Sequence, residues 1–167
     1  LKTSRGLAEQ IKFALDLGYR KFVIGLGGSG TNDAGLGMLE ELGYCFRDLV
    51  GKQVAGLLKN IAQIVQIDAH KVDPRLGETQ FTILSDVTNP LCGINGASSV
   101  YGPQKGVRVE QVAEFDHGLF NFSQVSADFA GFNAANLAGA GAAGGLGYAF
   151  LQFLNTQLVS GVEYLLN

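Results

Sequence analysis

The chain has 167 residues, of which 47% are hydrophobic and 16% charged, and its net charge is −3. This size and composition predict one globular domain or part of a larger protein. The negative charge gives no sign of a nucleic-acid partner, and no basic run or long apolar stretch predicts contact with a membrane. No signal peptide is visible. Cys45 and Cys92 fit no metal or redox spacing, so we expect a cytoplasmic protein with two free thiols.

The first part of the chain predicts a helix, a strand and a second helix. Apolar residues recur at helical spacing over residues 7–18. Residues 21–26 form a predicted strand, and its segment 22–24 carries no charge, which favours a strand covered on both faces. The second helix runs to about residue 42 and stops at Gly43.

A glycine-rich turn, residues 25–37, lies between this strand and the second helix. Its backbone N–H groups carry little side-chain cover, and a loop of this kind at the start of a helix can bind a phosphate or a carboxylate. A tight turn without a ligand is the alternative. The spacing of Gly25, Gly27 and Gly30 also fits a dinucleotide site, but no acidic residue follows at a second strand end. Residue types that cap helices follow the glycines: Ser29, Thr31, Asn32 and Asp33.

The next predicted elements lead to a second clear strand over residues 80–87. Asp86 lies at its carboxyl end, where open α/β sheets place ligand contacts. The alternative is that Asp86 or Asn89 only forms the turn before Pro90. The elements before this strand are a short strand over 43–47, a weakly helical stretch over 53–60, a strand or helix over 60–68, and a loop over 68–77.

Two further glycine clusters, at 93–106 and 139–147, help to raise the glycine count to 24, well above the usual ~7%. Such clusters indicate close backbone approaches. Lys105 lies in the first of them and could neutralise a phosphate, although a solvated turn residue is the commoner case. The remaining predicted elements are a helical turn over 97–101, a helix over 109–129, a helix over 148–154 and an apolar closing segment over 158–167.

With these motifs the chain resembles the glycerate kinases of the bacterial glycerate 2-kinase family. The resemblance covers nearly the whole chain and keeps the family's motif order. Gly30 stands where alanine is commoner in the family, and Ala34 where glycine is commoner. The matching motifs are residues 24–33, 73–76, 86–91, 96–98, 101–106 and 139–147.

The resemblance implies an α/β fold with a mixed or parallel sheet flanked by helices, forming one lobe of a two-lobed kinase. Family members are about twice as long, so residues 1–167 would be a single lobe from the middle, without the family's N- and C-terminal segments. The implied reaction is ATP-dependent phosphorylation of D-glycerate, giving 2-phosphoglycerate, with ATP and Mg²⁺ as cofactors and a homo-oligomer possible. The alternative is a nucleotide- or anion-binding α/β domain without catalytic activity on its own.

The resemblance also implies roles for particular residues. Asp86 would coordinate Mg²⁺ or accept the hydroxyl proton, Lys105 would offset charge in the transition state, and Asp33 would orient the substrate. Residues that would bind substrate or phosphate are Gly27, Gly28, Ser29, Gly30, Thr31, Asn32, Asn89, Gln104, Gly141, Gly144 and Gly145.

Overall fold

The structure, a computed structural model, describes residues 2–27 and 29–167. The helices are α1 (Arg5–Asp16), α2 (Leu36–Glu41), α3 (Ala97–Tyr101), α4 (Val109–Ala130), α5 (Ala142–Phe153) and α6 (Gly161–Leu166). The strands are β1 (Lys21–Gly25), β2 (Cys45–Arg47), β3 (Gln53–Val54), β4 (Gln66–Asp68), β5 (Gln80–Leu84) and β6 (Thr156–Val159). Short 3-10 helices occupy Leu58–Gln63, Pro74–Glu78 and Pro103–Lys105.

Within the described residues the strands form two sheets. One is parallel with the order β1-β5-β6, and the other is antiparallel with the order β3-β2-β4. The predicted α/β class with a parallel sheet flanked by helices is confirmed. In the antiparallel sheet, the predicted short strand over 43–47 is confirmed as β2, and the segment 60–68, left open between strand and helix, ends in β4. β3 is not predicted, because two residues show no measurable alternation.

The first strand is covered on one face only, so the prediction of a strand buried on both faces is wrong. β1 lies at the edge of its sheet. The Phe22 ring stacks on the Phe81 ring with their centres 5.2 Å apart. The Phe81 ring centre lies 5.4 Å from that of Phe150 in α5. Val23 points to the other face and is 53% exposed. A charge-free run of three residues occurs both in strands covered on two faces and in strands covered on one face. The run therefore does not distinguish the two.

Other elements also differ from the sequence predictions, among them the predicted helix over 148–154, which the structure extends to Ala142–Phe153. Residues 53–60 are not a helix, because β3 pairs with β2 first and the 3-10 helix starts only at residue 58. The second clear strand ends at Leu84 instead of Val87. β6 was not predicted as a strand, since its short sequence follows a helix without a glycine or proline break. The predicted helices at 97–101 and 109–129 are confirmed.

The core lies between α4, α5 and the two sheets. The ring centre of Phe122 in α4 lies 5.9 Å from that of Phe46 in β2 and 6.2 Å from that of Tyr148 in α5. Gln152 is buried and ties the loop before α5 to this core, because its Oε1 accepts from the Ala134 N–H at 2.7 Å. Its Nε2 donates to the Phe132 carbonyl at 2.7 Å, so Gln152 fixes the segment that follows α4. None of the helices in the described ranges combines the length and hydrophobicity needed to cross a membrane.

Candidate functional site

Three segments that are distant in sequence meet beyond the carboxyl ends of β1 and β5. We call them the first loop (residues 26–35), the second segment (85–106) and the third loop (139–145). The Ala34 N–H of the first loop donates to the Gly144 carbonyl of the third at 3.0 Å. The Gly141 N–H of the third loop donates to the Asn89 carbonyl of the second segment at 2.8 Å. The three glycine-rich motifs therefore form one structural unit.

The glycines of the third loop allow this contact because no side chain would fit. A Cβ on Gly144 would lie 2.6 Å from the Asn32 Cα and closer still to the Thr31 carbonyl oxygen. A Cβ on Gly145 would lie 2.9 Å from the Ala34 Cα. Both glycines also have positive φ angles, 68° and 90°. The structure thus gives these glycines a packing contact, and their predicted ligand role remains a prediction.

Two alanines carry backbone strain where the first and third loops meet. Ala34 has φ 54° and Ala143 has φ 52°, both in the left-handed region that a Cβ disfavours. Ala34 is fully buried beside Gly145. Glycine would adopt this φ angle without the penalty of a Cβ, which agrees with the expectation of glycine at position 34 from the resemblance. Strained non-glycine residues of this kind persist where the surrounding structure holds them, and they concentrate at functional sites.

The first N–H groups of α2 are occupied within the chain, which limits the predicted anion site to the earlier part of the first loop. The Asp33 carboxylate lies at the start of α2, and the residue is 3% exposed. The N–H of Met38 is taken by the Ser4 hydroxyl at 2.9 Å. The Asp33 carboxylate accepts hydrogen bonds from the Ser4 N–H at 2.8 Å, the Ser4 hydroxyl at 2.9 Å, the Gly35 N–H at 3.1 Å and the Gly37 N–H at 3.3 Å.

These contacts predict a structural role for Asp33. Asp33→Asn is expected to lower the free energy of unfolding by about 2 kcal/mol, because one charged acceptor would be replaced by an amide that repels some of its donors. Urea unfolding of the full-length protein measures the change. Asp86→Asn is the control, since the Asp86 carboxylate is exposed. An Asp33→Asn protein that unfolds at the wild-type urea concentration would contradict this role.

A cleft of about 930 Å³ opens beside the first loop. It is lined by groups from all three segments and by Lys2, which precedes α1. Lys2 and Tyr101 are not among the site residues predicted from the sequence, because neither residue type indicates a ligand in its sequence context. The predicted site residues that line the cleft are Gly27, Ser29, Gly30, Gln104 and Lys105.

Lys105 is fixed against the first loop. Its Nζ donates to the Thr31 carbonyl at 2.9 Å and lies 5.8 Å from the centre of the Tyr101 ring. Partial burial lowers the pKa of Lys105, and the nearby Asp33 charge opposes that shift. Lys105 is therefore partly buried and anchored in its turn, and its role beside a phosphate stays a prediction. The cation is positioned on the cleft wall by a hydrogen bond and an aromatic face.

The two predicted asparagines occupy different environments. Asn32 is 4% exposed; its Nδ2 lies 3.5 Å from the Ser98 hydroxyl, and its Oδ1 has no partner among the described residues. Asn89 is satisfied within the second segment, because its Oδ1 accepts from the Tyr101 hydroxyl at 2.8 Å and its Nδ2 donates to the Asn95 carbonyl at 2.9 Å. Asn89 thereby orients the ring that lies beside Lys105.

The remaining predicted residues are placed as follows. Asp86 is exposed just after β5 and accepts from the Ser160 hydroxyl at 2.6 Å, and it is not among the residues that line the cleft. The hydroxyls of Ser29 and Thr31 hydrogen-bond each other at 2.7 Å. Gly28 lies outside the described residues. The catalytic and binding roles of all these residues remain predictions.

Comparison with known proteins identifies the family. The model of the glycerate kinase family matches residues 1–167. The chain belongs to the glycerate kinase family. A glycerate kinase from Haemophilus influenzae is 43% identical over 167 residues, and a glycerate 2-kinase from Escherichia coli is 40% identical over 161. A crystal structure from Salmonella typhimurium LT2, named as a glycerate kinase 2, superposes with a TM-score of 0.92 at 41% identity over 97% of this chain.

The glycerate kinase relatives are longer than this chain. All 167 residues align with the Haemophilus influenzae protein but span 44% of its length. The share is 42% for the Escherichia coli protein, which aligns with 96% of this chain, and 43% for the Salmonella typhimurium structure. The cleft described above is therefore formed by less than half the length of a typical family member.

Proposed function

We propose that the full-length protein containing this chain transfers a phosphoryl group from ATP to D-glycerate and forms 2-phosphoglycerate. Membership of the glycerate kinase family supports the substrate. The relative named glycerate 2-kinase supports the position of transfer. The observation that carries the proposal is the cleft in which the glycine-rich first loop meets a fixed cation, Lys105.

Phosphoryl transfer needs positioning and charge neutralisation more than covalent chemistry from the protein. The first loop suits the positioning, because no acceptor within the described residues hydrogen-bonds the backbone N–H groups of Gly27 and Gly30. Those N–H groups are available to anionic oxygens of a phosphate or of the glycerate carboxylate. The Ser29 and Thr31 hydroxyls add adjustable donors at the same wall.

Side chains around the loop complete the proposed site. Lys105 would stabilise the negative charge of the transferring phosphoryl group, and exposed Gln104 would contact the substrate from the same turn. Asn32 presents a buried oxygen that a donor from a substrate or from the remaining protein could satisfy. Asp33 contributes by holding the loop in place.

Mg²⁺ fits this site only as an ion shared with substrate phosphates. No group of three or more potential metal-binding side chains occurs in residues 2–27 and 29–167. Mg²⁺ at phosphates usually takes one or two protein carboxylates. The described cleft lining has none, so the exposed Asp86 carboxylate, which lies outside that lining, would be the ligand that this chain supplies. When bound, the ion would neutralise phosphate charge.

The experiment is a coupled assay for glycerate-dependent ADP release, run with Mg²⁺ on the full-length protein and on this chain. Activity of the full-length protein with D-glycerate supports the proposal, and its absence overturns it. Phosphorus NMR identifies the product without a reference compound. The phosphorus of 2-phosphoglycerate couples to one proton on C2, whereas that of the 3-phosphate couples to two protons on C3.

The second candidate is an anion-binding α/β domain that catalyses nothing by itself. The 44% coverage of the Haemophilus influenzae relative favours it for the isolated chain. The same assay on the isolated chain tests this candidate, because it predicts that turnover requires the full-length protein. Binding of a nucleotide by the isolated chain without turnover would fit it directly.

A further inference from the structure

Lys2 lies against the first loop although it is distant from it in sequence. A Cβ built on Gly30 would be 3.1 Å from the Lys2 Cδ and 3.2 Å from its Nζ, so the ammonium group lies beside that glycine. The backbone next to Lys2 is fixed, because the buried Ser4 is hydrogen-bonded to Asp33 through its N–H and its hydroxyl. The position of Lys2 is therefore set by the same carboxylate that holds the first loop.

The cleft lining carries positive charge, although the net charge of the chain is negative. Its described lining contains two lysines, Lys2 and Lys105, and no aspartate or glutamate. The whole chain carries a net charge of −3. A cleft lined by one sign of charge concentrates ions of the opposite sign. This contrast points to a ligand that carries more than one negative charge.

The two lysines differ in how they are held. Lys105 is half-buried and donates to the Thr31 carbonyl. Lys2 is exposed, and no carboxylate in the described part of the chain lies within ion-pair distance of its Nζ. Asp33 lines a smaller neighbouring cavity with Lys2, but its oxygens are occupied by other donors. Lys2 thus keeps its charge available to the cleft.

We propose that Lys2 is a second anion-binding residue of the cleft, contacting anionic oxygens of the ligand that the first loop and Lys105 hold. The inference rests on the proposed function for the identity of that ligand. The shared chemistry is an anionic oxygen, which belongs to a phosphate chain or to the glycerate carboxylate. Lys2 would act through charge and would not take part in proton transfer.

The experiment measures tripolyphosphate binding by calorimetry on the full-length protein at low ionic strength. Lys2→Met is expected to raise the Kd about fivefold, because it removes one partly screened charge at unchanged side-chain length. Lys2→Arg is expected to restore the wild-type Kd. Lys21→Met is the matched control, since Lys21 is exposed at the opposite end of β1. In the kinase assay, a raised KM for ATP assigns Lys2 to phosphate, and a raised KM for glycerate assigns it to the carboxylate.

The outcomes separate this inference from the proposed function. Equal Kd values for wild type, Lys2→Met and Lys21→Met overturn the role of Lys2 even if the protein is an active glycerate kinase. A wild-type protein that does not bind tripolyphosphate, and whose two KM values are unchanged by Lys2→Met, overturns it as well. Lys2-dependent tripolyphosphate binding without phosphorylation of glycerate supports the anion site and overturns only the proposed reaction.

Discussion

Gly144→Ala is expected to lower the free energy of unfolding of the full-length protein by about 4 kcal/mol, one of the largest effects a single methyl group can have. The added Cβ would lie 2.6 Å from the Asn32 Cα and press on the Thr31 carbonyl, which are backbone atoms that cannot rotate away. The φ angle of 68° adds strain of its own. Kinase activity should fall with stability, since the first loop must move. Urea unfolding measures the first effect and the coupled assay the second.

Gly131→Ala is the matched control for Gly144→Ala. Gly131 ends α4 with a φ angle of 82°, so an alanine there meets a comparable backbone penalty. No atom lies within 4 Å of the position its Cβ would take. We expect a loss of about 1 kcal/mol from strain alone. Equal losses for the two variants would show that the contact between the first and third loops is not rigid.

Lys105→Met is expected to reduce kcat/KM of the full-length protein about 10²- to 10³-fold, the usual effect of removing one group that stabilises transition-state charge. The side chain is held at the cleft by the Thr31 carbonyl, and partial burial strengthens its electrostatic interactions. Lys52→Met is the control, because Lys52 is exposed in a turn of the antiparallel sheet region. A Lys105→Met enzyme within threefold of wild type would remove Lys105 from the proposed mechanism.

The pH dependence gives an independent test of the same residue. Burial lowers the pKa of Lys105, and the role proposed for Lys105 requires its ammonium form. As the pH rises through that lowered pKa the proton is lost, so kcat/KM should begin to fall below the pH near 10.4 at which an ordinary lysine titrates. Lys105→Arg keeps its charge throughout this range and should lose that decline. An unchanged alkaline profile in Lys105→Arg would assign the decline to another group.

The sequence identified the segments that come together in the fold more accurately than the contacts that each residue makes within them. Glycine clusters mark close approaches, and the structure places Gly141, Gly144 and Gly145 against the backbones of the other two segments. The glycine-rich turn singles out Lys105, whose role beside a phosphate stays a prediction, but its contact with Thr31 joins residues 74 positions apart. Local pattern carries no information about such separations.

Asp33 shows most clearly which contacts cannot be predicted from local sequence. Its residue type predicts a helix cap, and it does hold the start of α2. Its second partner, Ser4, lies 29 residues earlier and becomes visible only once α1 and α2 are packed together. The edge position of β1 could not be predicted either, because strand order depends on β6 near the other end of the chain.

The exposed position of β1 has a practical consequence for work on this chain alone. In the described residues β1 pairs only with β5, so the outer side of its backbone has hydrogen-bonding groups that water must satisfy. An uncovered strand border of this kind is a template for a further strand from another molecule. Self-association of the isolated chain through this border would then depend on protein concentration, and its apparent size would not report the native assembly of the complete enzyme.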